Sequence, residues 1–225
     1  MNNQTLKAIF SVAGIRNGYD EVHAEFAPFR DFKVKWTRSY RWISFEVSDY
    51  LADAPEDVLI SLANTVYKKI KGEDDSLYTD EVCRWVTSAE FVRTKQPVFI
   101  RRFRGLSLDS MGRCRDLADS YGRLVEAGLV ERDPAIFLGW STDDRSRTVG
   151  RSSILMKVVA MSSILDDADL PDSLFDYCLY TQVARIAMGF SPMGVRRGPE
   201  YEELLSRYPD RAGMESQLRR IGMHI

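Results

Sequence analysis

Histidine is scarce in this sequence. Two occur among 225 residues, His23 and His224, at opposite ends of the chain. Cysteine is nearly as rare: Cys83, Cys114 and Cys178 are odd in number, far apart and never in a CxxC pair. A zinc site of the usual kind gathers about four N, S or O ligands in one cluster, and neither residue type offers such a cluster. Three separated thiols fit a reducing compartment better than a disulfide framework. A cysteine nucleophile would have to borrow one of the two histidines, and nothing in the spacing brings either to a cysteine. His23 is read as part of a surface segment, His224 as a solvated tail residue, and Cys178 as a small apolar side chain.

Other absences narrow the field further. Neither a GxxxxGK(S/T) nor a GxGxxG phosphate loop is present. The acidic run DDADLPD lacks the glycine and closing glutamate of a calcium loop and reads better as the charged first turn of a helix. No apolar run approaches the roughly 20 residues that span a bilayer. With 31 basic and 33 acidic residues the net charge is −2, so no strong overall field draws the chain to nucleic acid or an anionic membrane. The opening stretch MNNQTLKAIFSVAGIRNGYDE has no basic region ahead of its short apolar segment, so no secretory signal is expected. These readings describe a soluble, cytoplasmic protein with no cofactor and no membrane partner.

What is present is patterned. Phe32, Val34 and Trp36 alternate with charged residues, as do Ile43, Phe45 and Val47, which predicts a β-hairpin. Asp53 and Pro55 then read as the start of a helix that runs to Ile70 and stops at Gly72. A second helical pattern covers Tyr78 to Arg93. The segment Pro97–Arg104 mixes arginine with apolar residues, in its ordinary reading an edge strand. Ser110–Ala127 is predicted as a helix ended by Gly128. Ala135–Trp140 and Ser153–Met161 read as strands, Asp166–Pro171 as the start of a buried helix, and two short helices are expected over 199–207 and 211–221. No internal repeat or low-complexity linker is visible.

The helix DYCLYTQVARIAMGF carries a polar interruption at Thr181, Gln182 and Arg185. On a helical wheel Leu174, Cys178, Thr181 and Arg185 form one stripe, with Gln182 beside it and apolar residues on the other faces. Such a stripe is expected to face a cleft or a partner group. A buried arginine needs an anion nearby.

From Trp140 onward the chain resembles the SprT-like branch of the zincin metallopeptidases, in the form found in archaeal proteins of unknown function. The likeness is carried by Trp140, Val149-Gly150-Arg151, Met161-Ser-Ser-Ile-Leu-Asp-Asp167, Leu170-Pro171, Phe175-Asp-Tyr-Cys-Leu-Tyr180, Ile186-Ala-Met-Gly189, Gly198-Pro-Glu-Tyr201 and Arg207-Tyr-Pro209. The phrase YRWISFEVSDYL and the helix after it resemble the same set more loosely. The resemblance implies an α+β, minimal zincin-like fold, with a small mixed sheet, a central buried helix and C-terminal helices. It divides the chain into an N-terminal portion, 1–105, packed on a zincin-type domain, 106–225, as one compact unit.

In that family HExxH follows the tyrosine and a third histidine precedes the G-P-E-F/Y phrase. Carried across, the ligand positions are Thr181, Arg185 and Arg197, and the general-base position is Gln182. All four differ from the family pattern. Two guanidiniums repel zinc, and a carboxamide accepts no proton from water. The implied protein is an inactive metallopeptidase homologue, not an enzyme, that serves as a binding or scaffold subunit for a protein partner. The resemblance would set the Arg185 guanidinium in the space of the metal, paired with an acid such as Glu200. Arg185, Arg197 and Glu200 would then form an anion or partner contact in the old cleft. The alternative is a nucleic-acid- or ribonucleoprotein-associated factor. It would use Arg101, Arg102, Arg104, Arg113 and Arg115, with Phe99 and Phe103 stacking on bases.

Overall fold

The structure is a computed structural model that describes residues 2–73, 78–142, 147–191 and 198–225. Its contacts group into two compact units, the first reaching Phe91 and the second starting at Val92. That division lies ahead of the 105/106 boundary expected from the sequence. The class is α+β, with eight helices and two three-stranded sheets among the described residues.

The first unit begins with helix α1 (Asn3–Arg16) and strand β1 (Glu21–Ala27). Asn2 caps α1 by accepting from the Thr5 amide, which satisfies one of the free N–H groups of the first turn. The predicted hairpin follows as β2 (Val34–Arg38) and β3 (Trp42–Ser48), with Val34 opposite Val47 and Trp36 opposite Phe45. Strand β1 pairs with β3 in parallel, giving the order β1-β3-β2. Helix α2 (Glu56–Lys71) ends on Gly72 in the left-handed region, φ 74°, as its glycine requires. Asp53 is not its cap. Pro55 holds that position, and Glu56 and Asp57 supply the favourable charge in the first turn.

Tyr67, toward the end of α2, meets Gly14, toward the end of α1, and bonds to the Phe10 carbonyl, so α1 and α2 run the same way. Their packed faces meet the sheet at Phe10–Phe45 (4.7 Å between ring centroids) and Phe45–Tyr67 (5.2 Å). Gly14 permits this approach: a Cβ there would lie 2.5 Å from both the Tyr67 hydroxyl and Val22 Cγ2. Tyr67 cannot retreat cheaply, because its hydroxyl donates to the Phe10 carbonyl at 3.1 Å. Alanine in a free helix would gain about 1 kcal/mol over glycine. Here Gly14→Ala is expected instead to lose about 2 kcal/mol in urea denaturation through overpacking.

The helix predicted over Tyr78–Arg93 is two helices, α3 (Asp80–Val86) and α4 (Ala89–Arg102). They break where the Thr87 and Ser88 hydroxyls donate to the Cys83 and Trp85 carbonyls. Most of Pro97–Arg104 belongs to α4 and is not a strand. Phe99 and Phe103 stack edge-on at i, i+4 spacing, 5.9 Å apart.

The second unit continues with α5 (Leu117–Glu126), β4 (Phe137–Ser141), β5 (Gly150–Ser153), β6 (Val158–Ser162), α6 (Asp172–Ala187), α7 (Pro199–Ser206) and α8 (Arg211–Arg220). Helix α5 starts later than predicted because Asp116 caps it, accepting from the Ala118 amide. The run Ser153–Met161 is not one strand: β5 ends at Ser153 and the chain turns through Lys157 (φ 48°) into β6. Strand β6 pairs in parallel with β4 and antiparallel with β5, giving the order β4-β6-β5. Every residue of α6 from Leu174 to Ala184 is buried. Trp140 stacks on Phe175 at 5.7 Å, and Tyr208 packs against Tyr177 and Tyr180.

One wiring diagram occurs twice, which the sequence did not reveal. The order α-β-β-β-α-α-α runs from α1 to α4 and again from α5 to α8 among the described residues. In each half the first strand is parallel to the third and the second is antiparallel to it. In each, a short 3-10 turn follows the third strand, Asp49–Leu51 and Ser163–Leu165. In each, a proline holds the N-cap of the next helix, Pro55 for α2 and Pro171 for α6.

Candidate functional site

The polar residues of α6 lie deep in the second unit. Thr181 and Gln182 are both 0% exposed. The Thr181 hydroxyl donates back to the Cys178 carbonyl at 2.7 Å and accepts from Gln182 Nε2 at 3.1 Å. The Thr181 carbonyl accepts from the Tyr201 hydroxyl at 3.0 Å. Gln182 Oε1 is buried with no hydrogen-bond partner among the described residues. Thr181 and Gln182 therefore do not face an open cleft, contrary to the expectation from the wheel. Thr65 occupies the corresponding place in α2: it too is buried, and its hydroxyl bonds back to the Ser61 carbonyl at 3.0 Å.

Arg185 does not pair with Glu200. Its guanidinium lies over the Tyr201 ring, 5.5 Å from the centroid, and Nε donates to the Tyr201 hydroxyl at 3.4 Å. Successive residues of a helix point about 100° apart, so with Tyr201 directed inward, Glu200 is left exposed at the start of α7. Arg197 lies outside the described residues. Cys178 is fully enclosed, and burial pushes its thiol up to about 12; it packs as an apolar side chain.

The sequence reading missed the polar groups that hold α6 in place. Asp176 accepts from the Ser120 hydroxyl (2.6 Å) and from Nε (2.8 Å) and Nη2 (2.6 Å) of Arg123 on α5. Asp166, just after β6, accepts from three successive backbone amides, Arg113, Cys114 and Arg115. Burial raises the proton affinity of that carboxyl. The three amide bonds outweigh it and hold the group below the usual carboxylate range. The signal available in the sequence was the facing pair of phrases RCRD and DDADLPD, opposite in charge.

Arg115 is consumed by this arrangement. Its side chain is 9% exposed. It donates to the Asp167 carbonyl (2.8 Å), the Leu170 carbonyl and the Asp172 carboxylate (2.6 Å), and it lies 5.0 Å from the Phe175 ring centroid. It is therefore unavailable to nucleic acid. Phe99 is buried and cannot stack on a base. Arg101 and Arg104 are exposed and Arg102 is half-buried. The Arg113 side chain is 86% exposed, its Nε 3.8 Å from Asp166.

The two histidines belong to different units, His23 to the first and His224 to the second. His23 is exposed on β1 beside Glu21 (2.8 Å). His224 is exposed but not on a loose tail, because its backbone donates to the Arg147 carbonyl and accepts from the Val149 amide. Among the described residues no group of three or more His, Cys, Asp or Glu could hold a metal ion. No described helix is long and apolar enough to cross a membrane. Comparison with known proteins found no matching family, no similar curated protein and no similar solved structure.

Proposed function

We propose that this chain is a non-catalytic binding or scaffold subunit, a metallopeptidase-like protein that works through contacts. The observation that carries this reading is the enclosure of Thr181 and Gln182, at the two positions where the resembled family has its first zinc ligand and its general base. A hydrolytic centre needs a ligand set with an open position for water. Here the Thr181 hydroxyl instead bonds back to its own helix and accepts from Gln182, whose carbonyl oxygen stays buried without a partner among the described residues. The buried, back-bonded Thr65 of α2 supports the same view, since it makes Thr181 a packing residue of a recurring helix.

A second reading rests on the exposure of Arg101, Arg104 and Arg113, which are free to meet a phosphate backbone. Affinity capture of the tagged chain from its native lysate, split into nuclease-treated and untreated halves, separates the two. A stoichiometric protein partner that survives nuclease is the expected result. Partners lost with nuclease, together with salt-sensitive binding that weakens when the three arginines are neutralised, would replace the scaffold reading.

A further inference from the structure

Helices α1 and α2 leave a furrow of about 300 Å³ between them, lined by Ile9, Val12 and Arg16 on one side and Glu56, Ile60 and Asn64 on the other. Large aliphatic side chains stand open along it, Val12 54% exposed and Ile60 44%, and Ile15, one turn after Val12 on α1, is 67% exposed. The matching place in the other half of the chain is closed. Ile60 is the fifth residue of α2, and the fifth residue of α6 is Asp176, which is locked to Ser120 and Arg123 of α5. One half fills its helix pair with an ion pair; the other leaves the same seam apolar.

The charges at the ends of the furrow indicate what fills it. Because α1 and α2 run in the same direction, Arg16 closes one end and Glu56 the other, about 12 Å apart along eight residues of helix. Both are exposed, and neither has a hydrogen-bond or ion-pair partner among the described residues. Rotation by a two-fold axis through the middle of the furrow lays the aliphatic stripe on its own copy. It also brings Arg16 to Glu56 of the partner subunit at both ends. A surface that complements itself under a two-fold rotation is the mark of an isologous interface.

We infer that this furrow is the dimer interface of the protein and that its occupant is a second copy of the same two helices. The apolar stripe supplies the affinity, and the Arg16–Glu56 pairs fix the antiparallel register.

Sedimentation equilibrium on the full chain tests this. The native protein is expected at twice its monomer mass. Ile60→Asp should raise the dimer dissociation constant by about tenfold or more. Arg16→Glu and Glu56→Arg should each weaken the dimer, and the double variant should restore it, which a general loss of structure would not do. The far-UV circular dichroism spectrum of each variant should keep its native shape, because all three positions are exposed, while the melting temperature should fall with the dimer. A native chain that remains monomeric, a dimer indifferent to Ile60→Asp, or a double variant that fails to recover would each overturn the inference. The furrow would then belong to a different partner or to none.

Discussion

Gln182→Glu is expected to destabilise the protein by about 3–4 kcal/mol at neutral pH, the largest effect of any single substitution considered. The substitution is nearly isosteric and restores the residue type that the resembled family carries there. A carboxylate at a fully buried position pays for its lost hydration, and its pKa rises by as much as 3–5 units, at about 1.4 kcal/mol each. Two donors on the same helix are already used: the Thr181 hydroxyl is committed to the Cys178 carbonyl, and Arg185 is held over Tyr201.

The pH dependence follows from the sign of that shift. With the folded pKa above the unfolded value, the variant matches the native chain in acid. It loses stability progressively as pH rises from about 4 toward the folded pKa. Gln182→Met is the control. It removes the orphaned carbonyl oxygen with little change of shape and is expected to be neutral or stabilising by about 1 kcal/mol. Urea titrations of both variants between about pH 4 and pH 8 decide the matter. Native-like stability of the glutamate variant at neutral pH would mean that water or a cation reaches this helix. The non-catalytic reading would then lose its main support.

Asp166→Asn is expected to cost about 3 kcal/mol by a different route. The carboxylate is the common acceptor for three consecutive amides, and charge-assisted bonds of this kind are about twice as strong as neutral ones. An amide in its place turns one acceptor oxygen into a donor facing a backbone N–H, which leaves buried groups unpaired. The loop that follows Gly112 also presents Arg115 to the start of α6, so the damage reaches the central helix. Asp166 is depressed below its unfolded value. Its contribution is therefore complete above about pH 4 and lost as pH falls through the folded pKa. The native chain should weaken steeply in acid, and Asp166→Asn should show a shallower acid limb. Equal acid slopes for the two proteins would show that the carboxylate is not what ties the loop.

Elements whose signal is local were readable from the sequence. The hairpin showed in its alternation, α2 in its spacing and Gly72, and α7 and α8 in their short periodic runs. The edge strand read at Pro97–Arg104 failed because a short run mixing arginine with apolar residues fits a strand as well as a helix end. The pairing of β1 with β3 skips over β2 and leaves no local mark. At the candidate site the central buried helix was legible, but the directions of individual side chains were not. Which of two adjacent α7 residues meets Arg185 is decided by helix phase. Asp166 was hidden for a further reason: its partners are backbone amides, which every non-proline residue carries, so no residue pattern announces them.

The repeated wiring of the two halves has a consequence for how the chain reaches its native state. Two sheets with the same strand order and the same pairing sense offer each other's strands a plausible but wrong seat. Misassembly of this kind is a characteristic failure of chains built from similar units. The protection lies in the strand faces. Ile43, Phe45 and Val47 fill the seam of one central strand with bulk, whereas all five residues Val158–Ser162 of the other are buried, small alanine and serine among large neighbours. A strand exchanged between halves would bring side chains of the wrong volume into a closed core. Divergence in size, on an unchanged plan, keeps each half loyal to its own strands.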